Sequence, residues 1–437
     1  MESLTIGYTC VGILLILLFA GVPVAAAMGL LGIAGMILAV SEGFAFGQLR
    51  TLPYQVTSNY GYAVLPLFVL MGTIAGASGM TERLFFATEA WMRRIRGGLY
   101  QAVVVGSALF AAINGSTTVS AVLFMRLAYP EMLKYGYPRS LSIGAIAATG
   151  SFAAMIPPSI TMVLYAIICE VSVGQLLIAG ILPGILTAAV YLIGIGVIVR
   201  LRPDMAPPIR EAASPAVKLK AIAETWPIIL LIMTISVGIY TGLFAPSAAG
   251  AVGAVGCFVL ALWIFHGRFK AWLPQAMGDA ASVSCIIFGI LIGGLLYSRM
   301  IVVTGVIDDF VGIVGAIAST KLAFLVLVCI FYLIVGCFLD TTSMMIVTLP
   351  FIFPAAMQYD IDPIWFGILI VKLVEIAVIT PPVGLNLFAV MSVVDKQTTW
   401  SHLVRGVTPF IFLEMIVLLT LVAFPEISTW LPRTMLG

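Results

Sequence analysis

One stretch of the chain occurs twice. The first copy runs from Asn114 to Gly184 and the second from Phe338 to Thr408, and a single offset of 224 places the landmarks of one on the other. Pro130 falls on Pro354, Tyr135 on Tyr359, and Pro157 and Pro158 on Pro381 and Pro382. Ahead of them, Ser116, Thr117 and Thr118 fall on Asp340, Thr341 and Thr342. Each copy therefore reads as a polar knot, an apolar run, a short polar loop and a second apolar run broken by a double proline. A unit repeated at constant spacing points to duplication of a whole structural half.

Composition sets the solvent. With 437 residues, 62% hydrophobic and 9% charged, the chain has too few polar groups to cover a water-soluble globule, so it is an all-α polytopic membrane protein. The net charge of +2 is spread over loops, forms no patch and implies no nucleic-acid partner. The six cysteines stand singly in or beside apolar segments, as reduced packing residues do. His266 and His402 are isolated, and neither HExxH nor GxSxG occurs, which argues against a metalloprotease, a serine hydrolase or any enzyme.

Apolar runs at residues 4–20, 22–40 and 56–78 read as spans; Gly29, Gly32 and Gly35 give the second a face for close packing. Residues 81–96, aromatic and basic, suit a helix lying in the interface. Residues 99–133 read as a re-entrant hairpin with its tip at Asn114–Thr118, because each arm spans only part of a bilayer. A span at 139–170 is broken near the double proline, and another follows at 174–201. The polar segment 202–224 reads as a cytoplasmic linker between a first repeat (1–201) and a second (225–437). The second repeat has spans at about 226–243, 246–267 and 280–303, a hairpin at 321–357, a broken span at 363–392 and a last span at 400–424.

Five spans and one re-entrant hairpin per half make the two repeats inverted, since an odd number of crossings puts the second half in from the opposite face. With both termini on the periplasmic side, only Arg50, Arg299, Lys321 and Arg433 among the 21 basic residues fall outside; Arg126 and Lys372 fall within the membrane, and the remainder, Arg210 and Arg268 included, fall inside.

Such a fold concentrates chemistry at its breaks. A proline has no N–H, so Pro157 and Pro158 release the carbonyls of Ala153 and Ala154, and Pro381 and Pro382 those of Ala377 and Val378. Freed carbonyls in a bilayer need a partner, and a hard cation is one. Oxygen-only ligands favour Na⁺ over a transition metal. The expected cation set is Asn114, Ser116, Thr117, Ala153, Ile156 and Pro157 in one half, and Gly336, Asp340, Thr341, Ala377, Thr380 and Pro381 in the other, giving at least two sites. The bland alternative, in which prolines only kink and hydroxyls only cap, has to account for the pairing of knot and break in both copies. Helix N-termini beside the breaks favour an organic anion, with Ser159, Thr161, Thr342, Gly384 and Asn386 as its contacts. Lys372 and Glu375, three apart, pair most simply with each other; Arg126 and Glu414 should face protein.

GYPRSLSIGAIAATGSFAAMIPPSITMVLYA, GIYTGLFAPSAAGAVGAV and DTTSMMIVTLPFIFP followed by ITPPVGLNLFA together resemble the large membrane subunit of tripartite ATP-independent periplasmic (TRAP) transporters over nearly the whole chain. The resemblance implies a Na⁺-driven inner-membrane importer of organic acids such as dicarboxylates, sialic acid or other sugar acids. It further implies a periplasmic substrate-binding protein, a small membrane subunit and an elevator-type movement. No fused small subunit is expected, because the first span begins within a few residues of the start. Alanine at 153 and 154 departs from the family pattern, to little effect where carbonyls are the ligands. A self-sufficient Na⁺/dicarboxylate symporter of the same architecture is the alternative, and a channel would need a continuous polar stripe that the spans lack.

Overall fold

A computed structural model describes residues 2–207, 213–265 and 269–436; the expectations for Arg210, His266 and Arg268 lie outside them. Every regular element among the described residues is helical. The first half comprises α1 (Glu2–Phe19), α2 (Val24–Ala39), α3 (Glu42–Ser58), α4 (Val64–Ser78), α5 (Met80–Met92), α6 (Gly98–Asn114), α7 (Thr117–Lys134), α8 (Arg139–Thr149), α9 (Ile160–Ile168), α10 (Val173–Ala179) and α11 (Ile181–Leu201). The second comprises α12 (Pro215–Tyr240), α13 (Pro246–Phe265), α14 (Phe269–Thr304), α15 (Val306–Ile317), α16 (Lys321–Val335), α17 (Thr341–Met357), α18 (Pro363–Val378), α19 (Leu385–Met391), α20 (Trp400–Ala423) and α21 (Glu426–Leu436).

Seven helices are long and apolar enough to cross a bilayer, or eight if α15 and α16, bent by 114° at their break, count as one. The other expected spans correspond to shorter pieces, namely the 16-residue α2 and the interrupted pairs α8–α9 and α18–α19. Local turns recur between the halves. Gly79 and Gly305 both take left-handed backbone ahead of a short helix, with φ of 96° and 75°, and Gly136 and Asp360, 224 apart, do so with φ of 79° and 49°.

Four expectations are corrected. The stretch left between the expected spans 22–40 and 56–78 is not a bare connection: it forms most of helix α3 (Glu42–Ser58), which Ser41 caps through its hydroxyl on Phe44 N–H despite Pro53 in its interior. The linker is shorter than 202–224, because α12 starts at Pro215 with Ser214 accepting from Val217 N–H. Ser followed by Pro is a helix-start signal in its own right. The span at 280–303 is the end of the 36-residue α14. Finally, α5 does not lie free on an interface: Thr81, Leu84, Phe85, Thr88 and Glu89 are buried, and the helix packs on α6 and α12, where Thr88 donates to the Ala102 carbonyl at 3.1 Å.

Glycine sets how closely helices approach. At Gly32 a methyl would come within 2.7 Å of the Leu296 and Tyr297 backbone, so α2 lies directly on α14. A Cβ at Gly144 would meet the Gly406 backbone, which fixes α8 against α20 in the same way. At the periphery, α1 leaves Ile16 and Phe19 two-thirds exposed, consistent with a lipid-facing helix.

Candidate functional site

The tips of α6–α7 and α16–α17 meet the interruptions of α8–α9 and α18–α19 around one cavity of about 190 Å³. Helix α6 ends at Gly115 with φ of +62°, a left-handed conformation that glycine adopts without strain. A Cβ there would sit 3.2 Å from the Pro158 carbonyl, so the first tip rests on the first break. In the second half a Cβ at Gly336 would collide with that of Ala377, and the Cys337 thiol lies 3.8 and 3.9 Å from the carbonyl oxygens of Thr380 and Pro381. Both Pro157–Pro158 and Pro381–Pro382 are cis.

Of the residues expected to hold a cation, Ser116, Thr117, Asp340 and Thr341 line this cavity. Asp340 caps α17 through Oδ2, which accepts from Thr342 and Ser343 N–H at 3.0 and 3.2 Å, and leaves Oδ1 without a partner among the described residues. Asn114 is turned to its own tip, where Nδ2 donates to the Ser116 carbonyl at 2.9 Å and to Ser120 Oγ at 3.0 Å. Ala153, Ile156 and Pro157 lie at the first break: Ile156 N–H goes to the Phe152 carbonyl at 2.9 Å and Pro157 has no N–H, so neither serves Ala153. Two carbonyls expected to be free are not. Ala154 accepts from the Ser159 hydroxyl, and Ala377 accepts from Thr380 N–H at 3.1 Å because the last turn of α18 tightens before Pro381. The Thr380 hydroxyl turns back onto the Ile376 carbonyl at 2.6 Å.

The expected anion contacts divide similarly. Thr161, Thr342 and Asn386 line the cavity. Ser159 does not, since its hydroxyl is fully buried between the Ala154 carbonyl and Met162 N–H, which it caps at 3.2 Å. Gly384 precedes α19 with φ of +52° and is not among the lining residues. Asn386 joins the two halves: its Oδ1 accepts from Thr118 Oγ1 at 2.9 Å and from Thr117 Oγ1 at 3.4 Å, across some 268 residues of sequence. Its Nδ2, in a side chain 1% exposed, has no partner among the described residues. A buried N–H₂ without an acceptor costs about 1–3 kcal/mol, which an acceptor in the cavity would relieve. The remaining wall, Val283, Ile286, Ile287 and Ile290, comes from α14 and was not legible in an apolar sequence without a polar marker.

The lining contains one carboxylate and no Lys or Arg. Among the described residues no group of three or more His, Cys, Asp or Glu side chains is placed to hold a metal ion, so the donors here are hydroxyl, carbonyl and amide oxygens with a single carboxylate. Behind the cavity, Lys372 pairs with Glu375 at 2.7 Å and with Glu414, and donates to Thr187 Oγ1 at 3.0 Å. Tyr191 donates to Glu414 Oε1 at 2.7 Å. Glu414 thus faces protein as expected, whereas Arg126 is exposed.

Residues 11–427 match the family model for the tripartite ATP-independent periplasmic transporter, DctM component. The chain belongs to this family. A C4-dicarboxylate TRAP transporter large permease from Pseudomonas aeruginosa is 30% identical, with 92% of this chain and 93% of that protein covered. The sialic acid TRAP large permease of Vibrio cholerae is 28% identical over 96% of this chain and 97% of its own length. The ectoine TRAP large permease of Halomonas elongata is 27% identical, with 97% of each covered. The YdaH transporter of Alcanivorax borkumensis, 13% identical, superposes over 89% of this chain and 90% of its own with a TM-score of 0.67, a likeness of fold. The DctM-family chain is therefore the large permease component of a TRAP transporter and not an enzyme.

Proposed function

We propose that this large permease imports an organic acid anion together with Na⁺, at the cavity between the two hairpin tips. It would take the anion from a periplasmic substrate-binding protein and work beside a small membrane subunit in the bacterial inner membrane, with both termini periplasmic. One observation carries the reading. The cavity offers hydroxyls, an unpaired amide donor and the Asp340 carboxylate but no cationic side chain, so an organic anion can enter only if a cation enters with it. The hydroxyls of Ser116, Thr117, Thr341 and Thr342 in the same lining add oxygen donors that such a cation can use. The recurring hairpin, turn and break positions support two inverted repeats, and a site built on two hairpins that meet the chain's long α14 suits an elevator movement of hairpins and broken spans past α14.

The test is uptake into proteoliposomes holding this chain and its small-subunit partner under an inward Na⁺ gradient, against labelled dicarboxylates, sialic acid and other sugar acids, with and without the binding protein. Uptake needing both Na⁺ and the binding protein is expected. Uptake with Na⁺ alone would instead make the chain a self-sufficient symporter, and uptake indifferent to Na⁺ would end the coupling argument.

A further inference from the structure

We propose that a second cavity, adjoining the first, is a transit subsite for the anion on its way to the cytoplasm, with the Arg126 guanidinium as its anchor. The inference rests on the organic-anion reading and names the next place the anion is held. This cavity, about 450 Å³ between α4, α7 and the N-terminal part of α14, shares Thr118 and Val283 with the candidate site. The two spaces therefore share a wall. Thr118, Val122 and Arg126 recur every four residues and form one stripe of α7. Eight residues at 1.5 Å each put Arg126 about 12 Å from the tip. With the tip near the midplane, that is the inner edge of a hydrocarbon layer about 30 Å thick.

Arg126 has no carboxylate within 4 Å among the described residues, and it is exposed. An unpaired guanidinium at this depth is costly unless water or an anion reaches it. Across the cavity, α14 presents Gln275, Asp279 and Ser282, so the wall is polar where that of the candidate site is aliphatic. Asp279 opposes tight anion capture, as a place of passage requires. The feature belongs to one half only: the position equivalent to Arg126 in the second copy is Pro350. A guanidinium present in one copy of the repeat only gives the route a direction, toward the Lys134 end of α7.

The test needs no substrate. Val122→Cys in inside-out membrane vesicles is reacted with methanethiosulfonate reagents of opposite charge, the ethylsulfonate and the ethyltrimethylammonium, with the native chain as blank because Cys285 is exposed. The anionic reagent should react faster, and Arg126→Gln should reduce that preference about fivefold or more, while Arg126→Lys keeps it. If Arg126→Gln does not accumulate, Asp279→Asn should raise the preference instead. A preference unmoved by either substitution overturns the subsite. So does reaction of both Val122→Cys and Val119→Cys from the outer face only, or from neither face. Because no transport is measured, a failed uptake assay would remove the organic-anion reading and leave this result standing.

Discussion

Replacing Lys372 by methionine tests whether the interior behind the site is as dry as it looks. Lys372, Glu375 and Glu414 are all 0% exposed, and the single ammonium faces both carboxyl groups, with Thr187 completing its contacts. Methionine fills a similar volume but leaves two acidic groups buried without a cation, Glu414 keeping the Tyr191 hydroxyl and Glu375 the Met155 backbone. Removing one member of a buried ion pair costs about 3–5 kcal/mol, whereas replacing the whole group by neutral residues is often nearly neutral. The first copy of the repeat supplies the neutral version, because the equivalent positions are Ala148, Ser151 and Val190. Lys372→Met should therefore lose about 3–5 kcal/mol in denaturant unfolding in detergent, and Lys372→Met/Glu375→Gln/Glu414→Gln should recover to within about 1–2 kcal/mol of the native chain. A single substitution within about 1 kcal/mol of native would show that water or a counter-ion reaches the cluster. A stable but transport-dead Lys372→Met would move the cluster from scaffold to mechanism.

Other outcomes follow from the same geometry. Asp340→Asn keeps an N-cap of equal quality on α17 and removes the lone charge of the cavity, so Na⁺ activation of uptake should weaken by roughly tenfold while protein abundance holds; an unchanged Na⁺ curve would take Asp340 out of the site. Cysteine placed at Ser41 should label from outside and at Ser214 from inside, and the reverse pattern would overturn the orientation. Arg139 grips both Asp395 oxygens at 2.7 and 2.6 Å and holds that carboxyl below its ordinary range. A lowered carboxylate contributes above its unfolded value and is lost as pH falls through the folded one. Protease protection of the 392–399 loop should thus be constant near neutrality and decline only under acid conditions, and a decline already near neutrality would show that the Arg139–Asp395 pair does not hold the loop.

The parts legible in the sequence are those where polar residues interrupt an apolar background. Asn114–Thr118, Asp340–Thr342 and the double prolines stand out because a polar knot in a bilayer has to be a turn, a cap or a ligand, and the helix ends fall at these places. The unread parts are those where one residue type serves two structures. Ser159 could have faced a ligand or closed a turn, and only the position of the Ala154 carbonyl decides that it closes the turn. The aliphatic face of α14 looks like any lipid-facing stripe, yet Val283 and Ile287 form a wall of the cavity.

That wall bears on mechanism more than its chemistry suggests. Asn386 and Thr118 bind one half to the other by a hydrogen bond across the site, so the first tip is tied to the second break. Across the cavity from the tips α14 presents Ile286, Ile287 and Ile290, whose side chains have no hydrogen bond to break. Dispersion contacts between smooth aliphatic surfaces are individually small and re-form at a new register, whereas a buried hydrogen bond that loses its partner is penalised by about 1–3 kcal/mol. A body that slides should therefore keep its polar contacts within itself and place aliphatic side chains at the sliding surface, and the cavity is divided in that way between polar tip residues and the aliphatic residues of α14. Ile287→Asn, which would let a tip hydroxyl or Asn386 Nδ2 bond across that surface, should slow transport by more than it lowers stability. Transport at the native rate in a folded Ile287→Asn chain would refute the idea that the surface slides.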